Sequence, residues 1–469
     1  MSRKVSLIFP CYNVEKFIDT TMASVYGQIH DEIEVICIDD GSNDCTLEKL
    51  NAWKPFLESK GYTVIVETKE NGGAASAINV GLSLFTGEYV CFPDSDDMLM
   101  PGYVSDMLAC LEENPEEQWV KCKPIVIWTG NDGPFLWSER ESGYDDARHL
   151  VERYITTLTW PVVWIYMIRA EFLRECLPDM HLEEGWSVQE YQLLLPLAYR
   201  KPFFYLDKAL YLYTHKVDGF SGKYIHSGYT GAKTYFERNA EVARKVIRKL
   251  HVSESELNRL ELLINIFLKK NSIYYANLHD ETEILQQSIN DLWELIVQAF
   301  DIKGVANKLY EEMSPSEIRW FAKWVMEVLV YDKNELEDTM ESKSEHLSGK
   351  VFLYGAGVRG QTLVPMLLRC GIDIEGIWDQ NAGSIDKDIS GIPVIAPDFS
   401  SISDRDKQRM TVIISIYKPE YAQEAMELIK RNGFVNIIKY EDIEAVIRTR
   451  TYNLIIKPSN EIGQKEKKA

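Results

Sequence analysis

With 469 residues, 45% of them hydrophobic and 26% charged, the chain is long and apolar enough to bury a sizeable core, which excludes a disordered or collagen-like polypeptide. At roughly 150 residues per domain, it predicts about three domains. Its 51 basic and 72 acidic side chains leave a net charge of −21, which argues against nucleic acid or an anionic membrane as a partner recruited by a general basic field. Residues 1–120 alone carry 7 basic against 21 acidic side chains, so an anionic ligand bound in that quarter needs a cation as mediator.

The first residues, MSRKVSLIFPCYN, show neither a signal-peptide apolar region nor a small-residue cleavage site, and no later run approaches the roughly 18 apolar residues of a membrane span. Eight cysteines include no C-x-x-C, and several fall in strand-like runs where a free thiol behaves as a small hydrophobe. The expectation is a reducing, cytoplasmic setting.

In chain order, VSLIF (5–9), EVICID (34–39), TVIVET (63–68) and EYVCF (88–92) are strand runs spaced widely enough for a helix between each pair. That is the βαβ pattern of a doubly covered sheet, whose ligands lie beyond the C-terminal strand ends. The chemistry is therefore expected after Phe9, Asp39, Thr68 and Phe92. Residues 131–225, with WPVVWIYMI (160–168) and LYLYTH (210–215), read as the completing half of the same domain, over 1–225. A helical segment follows over 226–347, with Ser314-Pro315-Ser316-Glu317 as a capping box. From 348 to 450, KVFLYGAGVRG (350–360), Asp379 about 20 residues on and VIISIY (412–417) predict a small Rossmann-like α/β domain, before a polar tail over 451–469.

The strongest chemical feature is Phe92-Pro93-Asp94-Ser95-Asp96-Asp97, three carboxylates in four positions at a strand end. Their mutual repulsion is relieved by a divalent cation, and Mg²⁺ or Mn²⁺ with hard oxygen ligands suits a diphosphate there. The alternative is a solvated acidic turn in which Asp97 caps the next helix. Asp39-Asp40-Gly41-Ser42 puts a second acidic pair on the same edge, either to accept from a pyrimidine N–H or to form an Asx-turn. The small residues from Asn71 to Asn79 open a helix, either to let phosphate or ribose approach the backbone or to pack helix on sheet.

SLIFPCYN (6–13), IDDGSNDCT (38–46), NGGAASAINVGL (71–82) and PDSDDML (93–99), in this order and spacing, resemble the inverting family-two glycosyltransferases of the GT-A fold. The resemblance implies a doubly covered mixed sheet and transfer of a sugar, from a UDP-sugar or related donor, to an acceptor hydroxyl. It places Pro10, Tyr12, Asn13, Asp39, Asn71, Gly73, Asp94 and Ser95 at the donor, with Asp96 and Asp94 on Mn²⁺ or Mg²⁺. His215 is a further ligand candidate, or a structural histidine. The catalytic base of the family is the Asp of a Glu-Asp pair; here the pair reads Gln189-Glu190, making Glu190 the candidate base and Glu183 and Glu184 its rivals. Trp160 and Trp186 either stack on sugar rings or belong to the core.

The implied partners are a nucleotide-sugar donor and a glycan or lipid-linked acceptor in surface polysaccharide synthesis, with peripheral association at the inner membrane face. The C-terminal GAGVRG suggests nucleotide sensing, self-association or a protein partner, or else a scaffold whose glycines serve turn geometry alone. One rival function is a non-catalytic sugar-nucleotide-binding module. The other, a nucleotidyltransferase, wants a Gly-rich basic loop after the first strand, which FPCYNVEKF lacks.

Overall fold

The β-branched runs at the start of the sequence become parallel strands β1 (Val5–Cys11), β2 (Ile33–Asp39), β3 (Thr63–Thr68) and β4 (Tyr89–Cys91). The structure, a computed structural model, describes residues 3–128, 147–185, 188–215, 223–224, 227–300, 313–330, 349–384, 387–416, 419–440, 442–443 and 447. Its contacts divide the chain into two compact units, Met1–Glu281 and Thr282–Ala469.

In the first unit, β1 lies between β2 and β4, in parallel register with both. Every residue of β2 is buried, as are all but Pro10 of β1, because both faces are covered and no polar alternation is needed. One cover is the helix Ala74–Leu84, whose small residues let it approach closely: a Cβ on Gly81 would stand 2.4 Å from Ile8 Cγ2. The second half of the unit adds β5 (Met98–Leu99), β6 (Trp119–Trp128), β7 (Tyr166–Arg169) and β8 (Phe204–His215), giving the order β3-β2-β1-β4-β7-β6-β8-β5. Strand β7 runs antiparallel to both β4 and β6, while β8 is parallel to β6. The sheet is therefore mixed, and β8 ends on the same edge as β1 to β4. The helices Tyr229–Lys249 and Glu254–Leu278 belong to this unit too.

The second unit holds the helices Thr282–Phe300 and Pro315–Val330 and a six-stranded sheet ordered β11-β12-β10-β9-β13-β14. Its strands are β9 (Val351–Tyr354), β10 (Ile374–Trp378), β11 (Asp388–Ile389), β12 (Ile392–Ile395), β13 (Thr411–Ile414) and β14 (Asn436–Lys439), all parallel except β11. The capping box forms: Ser314 N–H donates to Glu317 Oε2 at 2.7 Å and Glu317 N–H to Ser314 Oγ at 3.4 Å. Glu317 also accepts two bonds from the Arg369 guanidinium, both at 3.0 Å, tying the capped helix to Val358–Arg369.

Candidate active site

Parallel strands deliver their following loops to one edge, so the expected motifs meet there. Beyond β1, Tyr12 is exposed, and Asn13 takes a left-handed φ of 52°. Its N–H donates to Ser42 Oγ at 3.0 Å, and its Oδ1 accepts from Asn43 N–H at 2.8 Å. The first and second loops are thereby joined. At the end of β2, Asp39 is buried and accepts from Thr68 Oγ1 at 2.8 Å and from Ser42 N–H at 3.3 Å. Its neighbour Asp40 accepts from Lys69 Nζ at 2.9 Å and from the N–H groups of Gly72 and Gly73 at 3.0 and 2.7 Å. Asn71 Nδ2 donates to Asp40 O at 3.0 Å. Asp39 thus bonds locally to Ser42, while Asp40 holds the small-residue loop from across the sheet edge.

After β4 the burial alternates: Asp94 and Asp96 are half-buried, Ser95 and Asp97 buried. Ser95 Oγ donates to Pro10 O at 2.8 Å, and Thr21 Oγ1 lies 3.0 Å from Ser95 O and 2.8 Å from Asp97 O. The Asp97 carboxylate accepts from Tyr211 Oη at 3.0 Å and from Thr214 N–H at 3.1 Å. Carboxylate oxygens of Asp94, Asp96 and Asp97 come within 4.8 Å of one another, a set of hard oxygen donors that fits Mg²⁺ or Mn²⁺.

Strand β8 supplies an aromatic wall beside this cluster. Tyr211 and Tyr213, two apart and so on one face, stack on Trp164 with centroids at 4.5 and 5.1 Å, and Trp160 meets Tyr213 edge-on at 5.3 Å. Burial, followed by the charges of Asp97 and Asp94, pushes both phenols well above their ordinary pKa, so both hydroxyls stay protonated. The sequence marked neither tyrosine as functional, although the Leu-Tyr-Leu-Tyr alternation at 210–213 was the available signal. Trp160 joins the aromatic cluster, Trp186 lies outside the described residues, and of His215 only the backbone, at the end of β8, is described.

The three candidate bases have different surroundings. Glu183 is exposed and paired with Lys249 at 2.9 Å and Lys245 at 3.6 Å, and these bonds hold its carboxyl below the usual range. Glu184, also exposed, accepts from Asn79 Nδ2 at 3.2 Å, which lowers it likewise. Glu190 sits half-buried in the first turn of the helix Gln189–Arg200, accepts from Gln189 Nε2 at 3.0 Å, and is pushed up to about 7 by desolvation. A carboxyl near 7 is matched to proton transfer at neutral pH.

Residues 6–167 match the family model described as glycosyl transferase family 2. Among curated proteins the chain is similar to chondroitin synthase of Pasteurella multocida, 25% identical over 361 residues, covering 74% of this chain and 33% of that protein. Hyaluronan synthase of Pasteurella multocida is 25% identical over 365 residues, 73% of this chain and 32% of that protein. An uncharacterized glycosyltransferase of Haemophilus influenzae is 34% identical over 110 residues, 24% of this chain and 33% of that protein. The match spans about a third of the length of each of these relatives. Among solved structures, S. aureus TarS 1-349 in complex with UDP-GlcNAc has a TM-score of 0.47 at 21% identity, covering 70% of this chain and 88% of that one. Mannosyltransferase PcManGT from Pyrobaculum calidifontis, in complex with GDP-Man and Mn²⁺, has a TM-score of 0.39 at 16% identity, covering 70% of this chain and 84% of that one. The four linked motifs thus lie on one edge of a mixed α/β sheet, within the segment from residue 6 to residue 167 that matches the glycosyl transferase family 2 model.

Proposed function

We propose that this chain is an inverting, metal-dependent glycosyltransferase that moves a sugar from a nucleoside-diphosphate donor, UDP-sugar foremost, to a hydroxyl of a glycan or lipid-linked acceptor. The observation that carries this reading is the carboxylate cluster after β4, with Asp94 and Asp96 half-buried and Asp97 buried, at the sheet edge where the other motif loops converge. These two carboxylates would hold Mn²⁺ or Mg²⁺, which supplies Lewis-acid stabilisation of the departing diphosphate. Pro10, Tyr12, Asn13, Asp39, Asn71, Gly73 and Ser95 frame the donor on the neighbouring loops, mostly through backbone groups, since the Asp39 and Ser95 side chains already bond within the protein. Glu190 takes the acceptor proton while the acceptor oxygen bonds to the anomeric carbon and the bond from that carbon to the diphosphate breaks. Its raised pKa makes its carboxylate the stronger proton acceptor and supports it over Glu183 and Glu184, whose cationic or amide partners lower their basicity.

The similarity to chondroitin and hyaluronan synthases supports a role in polysaccharide synthesis. Among the described residues no helix is long and apolar enough to cross a membrane, and we propose peripheral association at its cytoplasmic face. The test is a panel of UDP-, GDP- and dTDP-sugars with Mn²⁺, scored for nucleotide release. Turnover of a UDP-sugar that is lost in Asp96→Ala is the expected result. Silence across the whole panel, together with no measurable affinity for UDP, would overturn the assignment.

A further inference from the structure

Tyr211 is wholly buried on β8 and separated by more than a hundred residues from the acidic loop it touches. Its hydroxyl accepts the Asp94 N–H at 3.0 Å and donates its one proton to Asp97 Oδ2 at 3.0 Å. Both roles of a phenol are thus used on the two ends of one four-residue loop. The other Asp97 oxygen accepts the Thr214 N–H at 3.1 Å, on the same strand. Strand β5 fixes the register: Met98 pairs with Leu212 and Leu99 with Tyr211, so Asp97 falls opposite Tyr213, with the Tyr211 hydroxyl and the Thr214 N–H within its reach. From the opposite side, Thr21 Oγ1 reaches the carbonyls of Ser95 and Asp97, and Ser95 Oγ reaches Pro10 O.

The structure assigns to Tyr211 and Thr21 the part of positioning residues, which hold the 94–97 loop so that its half-buried Asp94 and Asp96 are set for a divalent cation, with buried Asp97 as the anchor and not a ligand. The inference rests on the proposed metal site and says how that site is set. Three carboxylates close together would otherwise offer several competing coordination modes. Engaging both oxygens of Asp97 with donors removes one of them and leaves an Asp-x-Asp pair with a fixed backbone, the condition for a site held to within about half an ångström.

Titrating UDP into the full-length protein by calorimetry, with and without Mn²⁺, tests this. Tyr211→Phe keeps the ring and its stack on Trp164, and Thr21→Val keeps the shape of the side chain. Each should weaken Mn²⁺-dependent UDP affinity by about tenfold, the equivalent of one lost hydrogen bond at the upper end of its range, while leaving affinity measured without Mn²⁺ unchanged. A merely structural role would lower the melting temperature and leave the Mn²⁺ increment intact in the folded fraction, which would overturn the inference. Should Tyr211→Phe fail to fold, Thr21→Val decides alone. Asp96→Ala separates the two levels. If it abolishes the Mn²⁺ increment while both other variants keep it, the clamp is refuted and the metal site stands. If it keeps the increment, the metal site fails and the clamp with it.

Discussion

Asn79 and Leu182 form a reciprocal pair: Asn79 Nδ2 donates to Leu182 O at 2.9 Å, and Leu182 N–H donates back to Asn79 Oδ1 at 2.7 Å. The side-chain amide acts as a peptide group would in a sheet, and it ties the helix after the third loop to the segment leading to Glu190. Removing it leaves two backbone groups of a buried residue without their partner. Asn79→Ala should destabilise the first unit by about 1–2 kcal/mol, read by urea denaturation. It should also lower kcat more than it raises the donor KM, because the displaced segment carries the base and not the donor loops. Unchanged stability would show that water replaces the amide without loss.

Glu190 provides a pH signature. With its carboxyl at about 7, Glu190 is half protonated at neutrality, so with Glu190 as the proposed base kcat/KM should rise with pH through an apparent pKa near 7. In Glu190→Gln that limb should vanish and kcat fall by about 10²–10⁴-fold, with donor binding retained. Stability runs the other way. A carboxyl raised above its unfolded value favours folding below the unfolded pKa, and that contribution is lost as pH rises through 7. Above pH 7 the Gln variant should therefore melt higher than the wild type. A wild-type pH profile in Glu190→Gln would move the base elsewhere.

In the second unit, the glycines of GAGVRG are not equivalent. A Cβ on Gly360 would stand 2.3 Å from Gly355 O, whereas one on Gly357 meets nothing, and Gly357 has an ordinary φ of −67°. Gly360→Ala should cost about 1–3 kcal/mol through forced repacking, and Gly357→Ala should leave the melting curve where it was. Equal effects would contradict the packing described for this turn.

The same unit depends on one ion pair. Glu317 is 2% exposed, and Arg369 gives it two N–H bonds at 3.0 Å. Arg369→Met takes both guanidinium bonds from a buried carboxylate and leaves it, among the described residues, the Ser314 N–H, so a loss of about 3 kcal/mol is expected in denaturant unfolding of the full chain. Exchanging both partners for apolar residues should recover most of it.

Much of this was legible in the chain itself. Runs such as VSLIF and EVICID need no partner information to be read as covered strands, and the acidic and small-residue loops fall where the strands end. What could not be read is which carboxylates are already engaged. Asp94, Asp96 and Asp97 look alike in sequence, and only the fold brings the Tyr211 hydroxyl to the carboxylate of Asp97 and the backbone N–H of Asp94. Glu183, Glu184 and Glu190 are likewise the same residue type; lysines from the helix Tyr229–Lys249 settle the charge of the first, and desolvation raises the last. The sheet's mixed character came from β7, whose reversed direction is set by pairing with β4 and β6 and by nothing local.

Asp40 gathers Lys69 Nζ and the amides of Gly72 and Gly73 around one carboxylate. A glycine-rich loop left to itself would lose much conformational freedom on closing around a guest, and that entropy would be subtracted from affinity. Here the freezing is completed during folding. The proposed nucleotide donor would meet a pre-ordered rim, and its association should resemble docking into a finished socket, fast and with little heat-capacity change beyond the surface it covers.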